Sequence, residues 1–474
     1  MEFISYVFWA MRILYPKGEM NTPEAVVSCG KSYELTTGLI TPCIDMSRND
    51  YALATSIYAI GGLIGAVGAG TLARRGPRTA MLWNTIPGIS GPLLMALATN
   101  KAMLITGRLI SGLQSGVAMV VGPIYLSEIS PKNIAGPLGI MSQLTCVIGI
   151  LFTQILASCM STIPLWRVLF GLGAYIQIIQ TILLFWVVES PKFLFNSYDA
   201  DSAEAILYTT RTNTSNDKND NHVESLNELT WTVFSQWRKA FGAILVLMLS
   251  QQFCGINVVI FYSTTTLSAL FGEFAKYLSV IIQIVNFFTT LAAAIFVNRI
   301  GRKKPLITSI FGMGTCSIFM CIGIVRNMQL LTAIGAILFV ASFGFGLGPM
   351  PFAMAVEMVS GAEQISRIAP SFGIAVNLMA TFVVAYAFPA LQAAMGGYVF
   401  VIFASISFVA CGINMLFVPE TSRKTNAREV WTDNRGNLRL KAAAVINVSQ
   451  GSLIRDRTPS TIGSNAVTDL NSKL

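Results

Sequence analysis

Three observations predict an all-α membrane protein built from two parallel halves of six helices each. Of 474 residues, 53% are hydrophobic and only 12% are charged, about half the charged share of a soluble domain. The apolar residues gather into runs close to the roughly 20 that a helix needs to cross the bilayer core. There only helices and closed barrels satisfy every backbone group. Landmarks of the first half of the chain also return in the second at near-constant spacing.

Taken in order, apolar spans are expected near 52–73, 80–98, 102–126, 135–159, 164–187, 240–266, 277–298, 305–325, 331–357, 368–391 and 397–418. A poor first span precedes Tyr15. At about 1.5 Å per residue, Phe3 to Tyr15 is too short for a core near 30 Å, and it carries Arg12. It reads as a short or truncated helix. Arg74, Arg75 and Arg78, Lys132, Lys192, Arg238 and Lys239, the cluster from Arg299 to Lys304, and Arg367 all fall in alternate loops. The positive-inside rule puts those loops in the cytosol, and both termini with them. The net charge of +9 is therefore spread over loop clusters, so no nucleic-acid face is expected. The expected domains are a six-helix bundle over 1–195, a cytosolic linker with short helices over 196–238, a second bundle over 239–420 and a disordered tail over 421–474.

Six of the eight cysteines lie in apolar runs and read as small buried hydrophobes. Cys29 and Cys43 fall in the expected external loop, where an oxidising environment permits a disulfide between them. One histidine, His222, in a polar loop, makes no metal site. No cofactor is expected, and no nucleophile with a base or phosphate loop suggests an enzyme.

The repeat has three landmarks. Gly76, in Arg74-Arg75-Gly76-Pro77-Arg78, returns as Gly301, in Arg299-Ile300-Gly301-Arg302-Lys303, 225 residues on. Glu128 returns as Glu357, 229 residues on, and Glu189-Ser190-Pro191-Lys192 as Glu420-Thr421-Ser422-Arg423, 231 residues on. Transporters use such repeats to build two bundles that rock about a midplane site. In that frame Glu128, Glu189, Glu357 and Glu420 face Arg74, Arg75, Arg78, Arg299, Arg302 and Arg367 at the cytosolic helix ends. Ion pairs among them would latch that side. The alternative is that they anchor helix ends and set topology.

These landmarks join the run from Gln251 to Ser263, Gly107-Arg108, Tyr125 to Pro131, Gln143, Asn286, Gly348-Pro349-Met350-Pro351 and Pro419-Glu420-Thr421. Together they resemble the sugar porter branch of the major facilitator superfamily, the family of facilitative glucose transporters. The resemblance runs from Tyr15 to Lys424 and implies the major facilitator fold. It also implies that Gln143, Gln251, Gln252, Asn257, Asn286 and Asn377 line a sugar pocket, with Phe352 where a stacking tryptophan is common. Amides fit that role, since they offer donors and acceptors to a neutral polyol without a net charge. Isolated amides otherwise bond a neighbouring helix, the reading taken for Gln154, Gln177 and Gln180. Gly346, Gly348, Pro349 and Pro351 break the tenth span, because proline removes a helical hydrogen bond. Gly348, Pro349 and Pro351 are read as a hinge and Arg108 as part of the gate.

Departures from the family pattern are Leu378 in place of a tryptophan, Gly344 of a glutamate, Met248 of a glutamine and Ala135 of an arginine. No carboxylate stands where proton-coupled relatives carry an aspartate in the first helix. Facilitated diffusion of a monosaccharide is therefore expected, with proton-coupled symport or a transport-inactive sugar sensor as alternatives. The lipid bilayer is the other partner, in the plasma membrane or the vacuolar membrane.

Overall fold

The computed structural model describes residues 44, 46–73, 75–129, 135–159, 165–190, 193, 237–359, 365, 368–422 and 427–431. The poor first span, Cys29, Cys43, Arg74, Arg367, the linker over 196–236 and the tail beyond 431 lie outside them, as does the side chain of Arg299.

Among the described residues the regular structure is entirely helical. The first half supplies α1 (Arg48–Ala73), α2 (Pro77–Ala96), α3 (Lys101–Ile129), α4 (Ala135–Cys159) and α5 (Trp166–Trp186). The second supplies α6 (Arg238–Phe253), α7 (Ile256–Phe271), α8 (Ala275–Ile300), α9 (Lys303–Val325), α10 (Gln329–Phe345), α11 (Met350–Glu357), α12 (Ile368–Met395), α13 (Val399–Phe417) and the short α14 (Ala427–Trp431). Each of the eleven spans expected after the first is helical. Large apolar side chains such as Trp186, Leu416 and Phe417 stand exposed on the outside, which suits a surface that faces lipid tails.

Lipid offers helices little hydrophobic reason to associate, so close packing must hold them. In α1 and α3 this is visible in sequence. Gly61 and Gly65 are four apart, as are Gly112 and Gly116, and the two pairs face each other. A Cβ on Gly61 would collide with the Leu109 carbonyl, and one on Gly116 with the Gly62 carbonyl. Backbone therefore lies on backbone.

The halves meet along two seams, α1 against α12 and α4 against α8. The repeat turns α1 into α8 and α4 into α12, so the seams are images of each other. Leu378 of α12 reaches Gly62 of α1, where an added Cβ would stand 3.1 Å from it.

Two of the expected spans are broken in the middle. The 240–266 span divides into α6 and α7 at Cys254 and Gly255, where Gly255 takes φ +91° and an added Cβ would stand 2.9 Å from the Phe403 ring. The 331–357 span divides into α10 and α11 across Gly346 to Pro349. Pro349 and Pro351 have no N–H to continue the ladder, and a Cβ on Gly346 would strike the Pro305 carbonyl. A helix break inside a membrane frees carbonyls that need new partners.

Candidate functional site

Residues flanking both breaks line one pocket between the halves. Its second-half wall carries Gln251 and Gln252 from the last turn of α6, Asn257 from α7, Asn286 from α8, Phe352 from α11, and Asn377 and Thr381 from α12. Its first-half wall carries Thr55 and Tyr58 from α1, Ser115 from α3 and Gln143 from α4. All seven residues expected to bind substrate thus line it, and the described residues lining it include no charged side chain.

The second-half amides are buried and bonded in a row. Gln251 Nε2 donates to the carbonyls of Leu347 at 2.9 Å and Gly348 at 3.0 Å, the groups freed by the break between α10 and α11. Asn377 Nδ2 donates to Gln251 Oε1 at 2.6 Å, and Gln252 Nε2 donates to Asn377 Oδ1 at 2.9 Å. Asn257 Nδ2 donates to Gln252 Oε1 and, at 3.2 Å, to Thr381 Oγ1. Asn286 is different. Its Nδ2 donates to Gln283 Oε1 at 3.3 Å, but its buried Oδ1 meets no donor. A buried acceptor left so is costly unless something polar arrives. Such a wall suits an uncharged ligand rich in hydroxyl groups.

Thr55, Tyr58, Ser115 and Thr381 were not singled out from sequence. Hydroxyls in helices commonly bond their own preceding turn, as Thr55 Oγ1 does to Tyr51 O at 2.8 Å, so their type alone carries little signal. Of the amides expected to join helices, Gln177 accepts from Gln114 Nε2 at 3.5 Å. Gln154 instead keeps a buried Nε2 without a partner.

The charged landmarks gather at one end of the bundle. Glu189 accepts the backbone N–H of Arg78 at 2.9 Å and of Thr79 at 3.2 Å, at the start of α2. Glu420 accepts those of Arg302 at 2.9 Å and Lys303 at 3.1 Å, at the start of α9. Burial works against the Glu420 charge, but the N–H groups of Arg302, Ser422 and Lys303 and the Arg302 charge outweigh it and hold the carboxyl below its ordinary range. Ser190 Oγ donates to Glu128 at 2.6 Å and Thr421 Oγ1 donates to Glu357, again as images. Arg302 also donates to Glu357 Oε1 from Nη2 at 3.0 Å and from Nε at 3.2 Å. Its counterpart in the first half is Pro77, which has no charge to offer. Arg75 is exposed. Every one of these contacts lies within a half.

Arg108 stands apart. It is fully buried in α3, seven residues from the opposite end, with its guanidinium 5.9 Å from the Phe170 ring. That end also carries the exposed Lys101–Asp50 pair at 2.8 Å.

The family model described as "Sugar (and other) transporter" matches residues 7–428. The chain belongs to that family of sugar porters. Among sugar porters and their relatives, it is 30% identical to a probable metabolite transport protein of Saccharomyces cerevisiae, over 88% of this chain and 91% of that one. It is 32% identical to solute carrier family 2, facilitated glucose transporter member 3, of Canis lupus familiaris, over 87% of each chain. A solved structure of the xylose transporter XylE from E. coli superposes with a TM-score of 0.66 at 21% identity, over 88% of this chain and 97% of that one. The major facilitator fold implied by the resemblance is therefore the fold of this sugar porter. It is a multi-pass membrane transporter and not an enzyme.

Proposed function

We propose that this sugar porter carries a monosaccharide across its membrane by alternating access and facilitated diffusion. The observation that carries the reading is the uncharged wall of buried amides, facing Gln143 across the pocket between the halves. Gln143, Gln251, Gln252, Asn257, Asn286 and Asn377 replace the water around a hexose, and Phe352 offers a ring face to it. The halves, over 1–195 and 239–420, rock about that site. The break at Gly348, Pro349 and Pro351 is the hinge of the inner part of the second half. The end with Arg75, Glu128, Glu189, Arg302, Glu357 and Glu420 faces the cytosol, as do both termini. There these contacts keep each half rigid while the seams open and close. The facilitated glucose transporter relative supports uniport. The membrane is the plasma membrane or the vacuolar membrane.

Proton coupling is the second reading, because a neighbour in fold is a proton:xylose symporter. The test is uptake of radiolabelled hexoses by hexose-transport-deficient yeast expressing the chain. Saturable uptake, lost in Gln251→Ala and indifferent to a protonophore, is expected. Uptake abolished by the protonophore means symport. No uptake despite surface expression overturns the carrier reading.

A further inference from the structure

The Gln251 side chain has two N–H groups and one oxygen, and all three are engaged. Both N–H groups go to Leu347 O and Gly348 O, and the oxygen accepts from Asn377. Gln251 nonetheless lines the pocket. It has no N–H to give a ligand without releasing a carbonyl of the helix break. Gln252 and Asn257, on either side of the other break at Cys254 and Gly255, are bonded to each other, and Asn377 joins them to Gln251. The two breaks are thus fastened together by one row of side-chain amides at the place where a ligand sits.

We infer that Gln251 is a positioning residue for the break between α10 and α11: it staples Leu347 and Gly348 while the pocket is empty, and a hydroxylated ligand that takes its N–H groups releases the staple. The inference rests on the sugar-carrier reading for the identity of the ligand, but not for the staple itself. Released carbonyls inside a membrane need new partners, so α11 shifts when the ligand arrives. In this way occupancy of the pocket is passed to the segment that bears Phe352 and, at its far end, Glu357. The state of the break follows differential contacts in the two states, as any ligand-driven change must.

Amide hydrogen exchange in the purified full chain reads the break directly, through the N–H groups of Gly346, Leu347, Gly348 and Met350. These are bonded to Phe343 O, Ser309 Oγ, Phe343 O and Gly346 O. Without ligand, Gln251→Met is expected to speed their exchange on the order of tenfold, equivalent to about 1.4 kcal/mol. Ser115→Ala, which changes the same pocket from its first-half wall on α3, leaves them slow. Should Gln251→Met fold poorly, Gln251→Glu keeps an oxygen for Asn377 and offers at most one O–H to the two carbonyls, and a smaller acceleration in the same direction is expected. Unchanged exchange in these variants overturns the staple. In the wild type, the hexose taken up in the yeast assay is expected to accelerate the same amides, with its L-enantiomer inert. Hexose binding seen by calorimetry without faster exchange overturns ligand release alone. Absence of hexose binding overturns release and the sugar reading together.

Discussion

Glu189 meets Arg78 at the backbone, with the Arg78 N–H donating to Glu189 Oε1 at 2.9 Å, while the Arg78 guanidinium turns away to the carbonyls of Leu184 and Phe185. The second half repeats this. Glu420 accepts the N–H of Arg302 at 2.9 Å, and Lys303 Nζ donates to the Met415 carbonyl at 2.8 Å. In each half an acid from beyond the last helix sits on the open N-terminus of α2 or α9. A cation from that N-terminus sits on the C-terminal carbonyls of α5 or α13. Both contacts pair a charge with the helix end of opposite polarity. They fasten helices within a half, so they survive a rigid movement of one half against the other.

The glycines before these N-termini make the approach possible. Gly76 takes φ +102° and Gly301 φ +92°, a region that residues with a Cβ enter only at a cost of about 1–3 kcal/mol. An added Cβ would stand 2.7 Å from Glu189 Oε2 at Gly76, but 3.1 Å from Glu420 Oε2 at Gly301. Both Gly76→Ala and Gly301→Ala are expected to lower the thermal stability of the detergent-purified protein, and Gly76→Ala more. Equal or negligible shifts in the unfolding midpoint would refute the steric part of this account.

Glu420 makes stability depend on pH in a definite direction. Its carboxyl is depressed below the ordinary 4.5, so its contribution is fully present above that pH and is lost as pH falls through the lower folded value. Glu420→Gln removes the charge and sets an amide against the N–H groups of Arg302 and Lys303. The variant is expected to melt below the wild type at neutral pH, with the difference narrowing on acidification below pH 4.5. A difference that stays constant down to that range speaks against an ionised cap.

Arg302 has an almost buried side chain, at 6% exposure, and binds Glu357 through two nitrogens. Removing one member of such a pair costs about 3–5 kcal/mol, largely by leaving the other charge uncompensated. Arg302→Met is therefore expected to be strongly destabilising, and adding Glu357→Gln to it should recover part of the loss. A double variant no better than the single would mean that Glu357 finds other compensation.

Much of this was legible in the sequence because membranes leave the backbone few options. Eleven spans were readable from apolar run length, and the break at Gly346 to Pro349 from two prolines and two glycines that leave carbonyls without donors. The repeat was readable because Gly76 and Gly301 share a steric requirement. The destination of the charges was not legible. Carboxylates and arginines at the same cytosolic helix ends suggest ion pairs, whereas Glu189 takes backbone N–H groups whose availability depends on where α2 begins. The first-half wall of the pocket, Gln143 apart, was hidden for another reason. Thr55, Tyr58 and Ser115 look the same in sequence whether they bond their own helix or face a cavity, and only the packing of α1 against α12 decides.

Asn286 and Asn377 separate ligand binding from scaffold. Asn377 bonds Gln251 and Gln252 at once, so Asn377→Ala orphans buried groups on both, at about 1–3 kcal/mol each. Asn286 keeps one long bond to Gln283 and an oxygen without a donor. Its loss removes that unsatisfied acceptor but leaves Gln283 Oε1 without its donor, so the two effects on the protein largely offset. If that oxygen waits for a ligand hydroxyl, Asn286→Ala weakens sugar binding by roughly tenfold or more while the melting temperature holds. Asn377→Ala lowers both. Calorimetric titration with the transported hexose, paired with thermal unfolding of the same samples, reads the two effects separately. A stable Asn286→Ala protein with unaltered affinity would remove Asn286 from the binding wall and leave its oxygen as an unexplained cost of the fold.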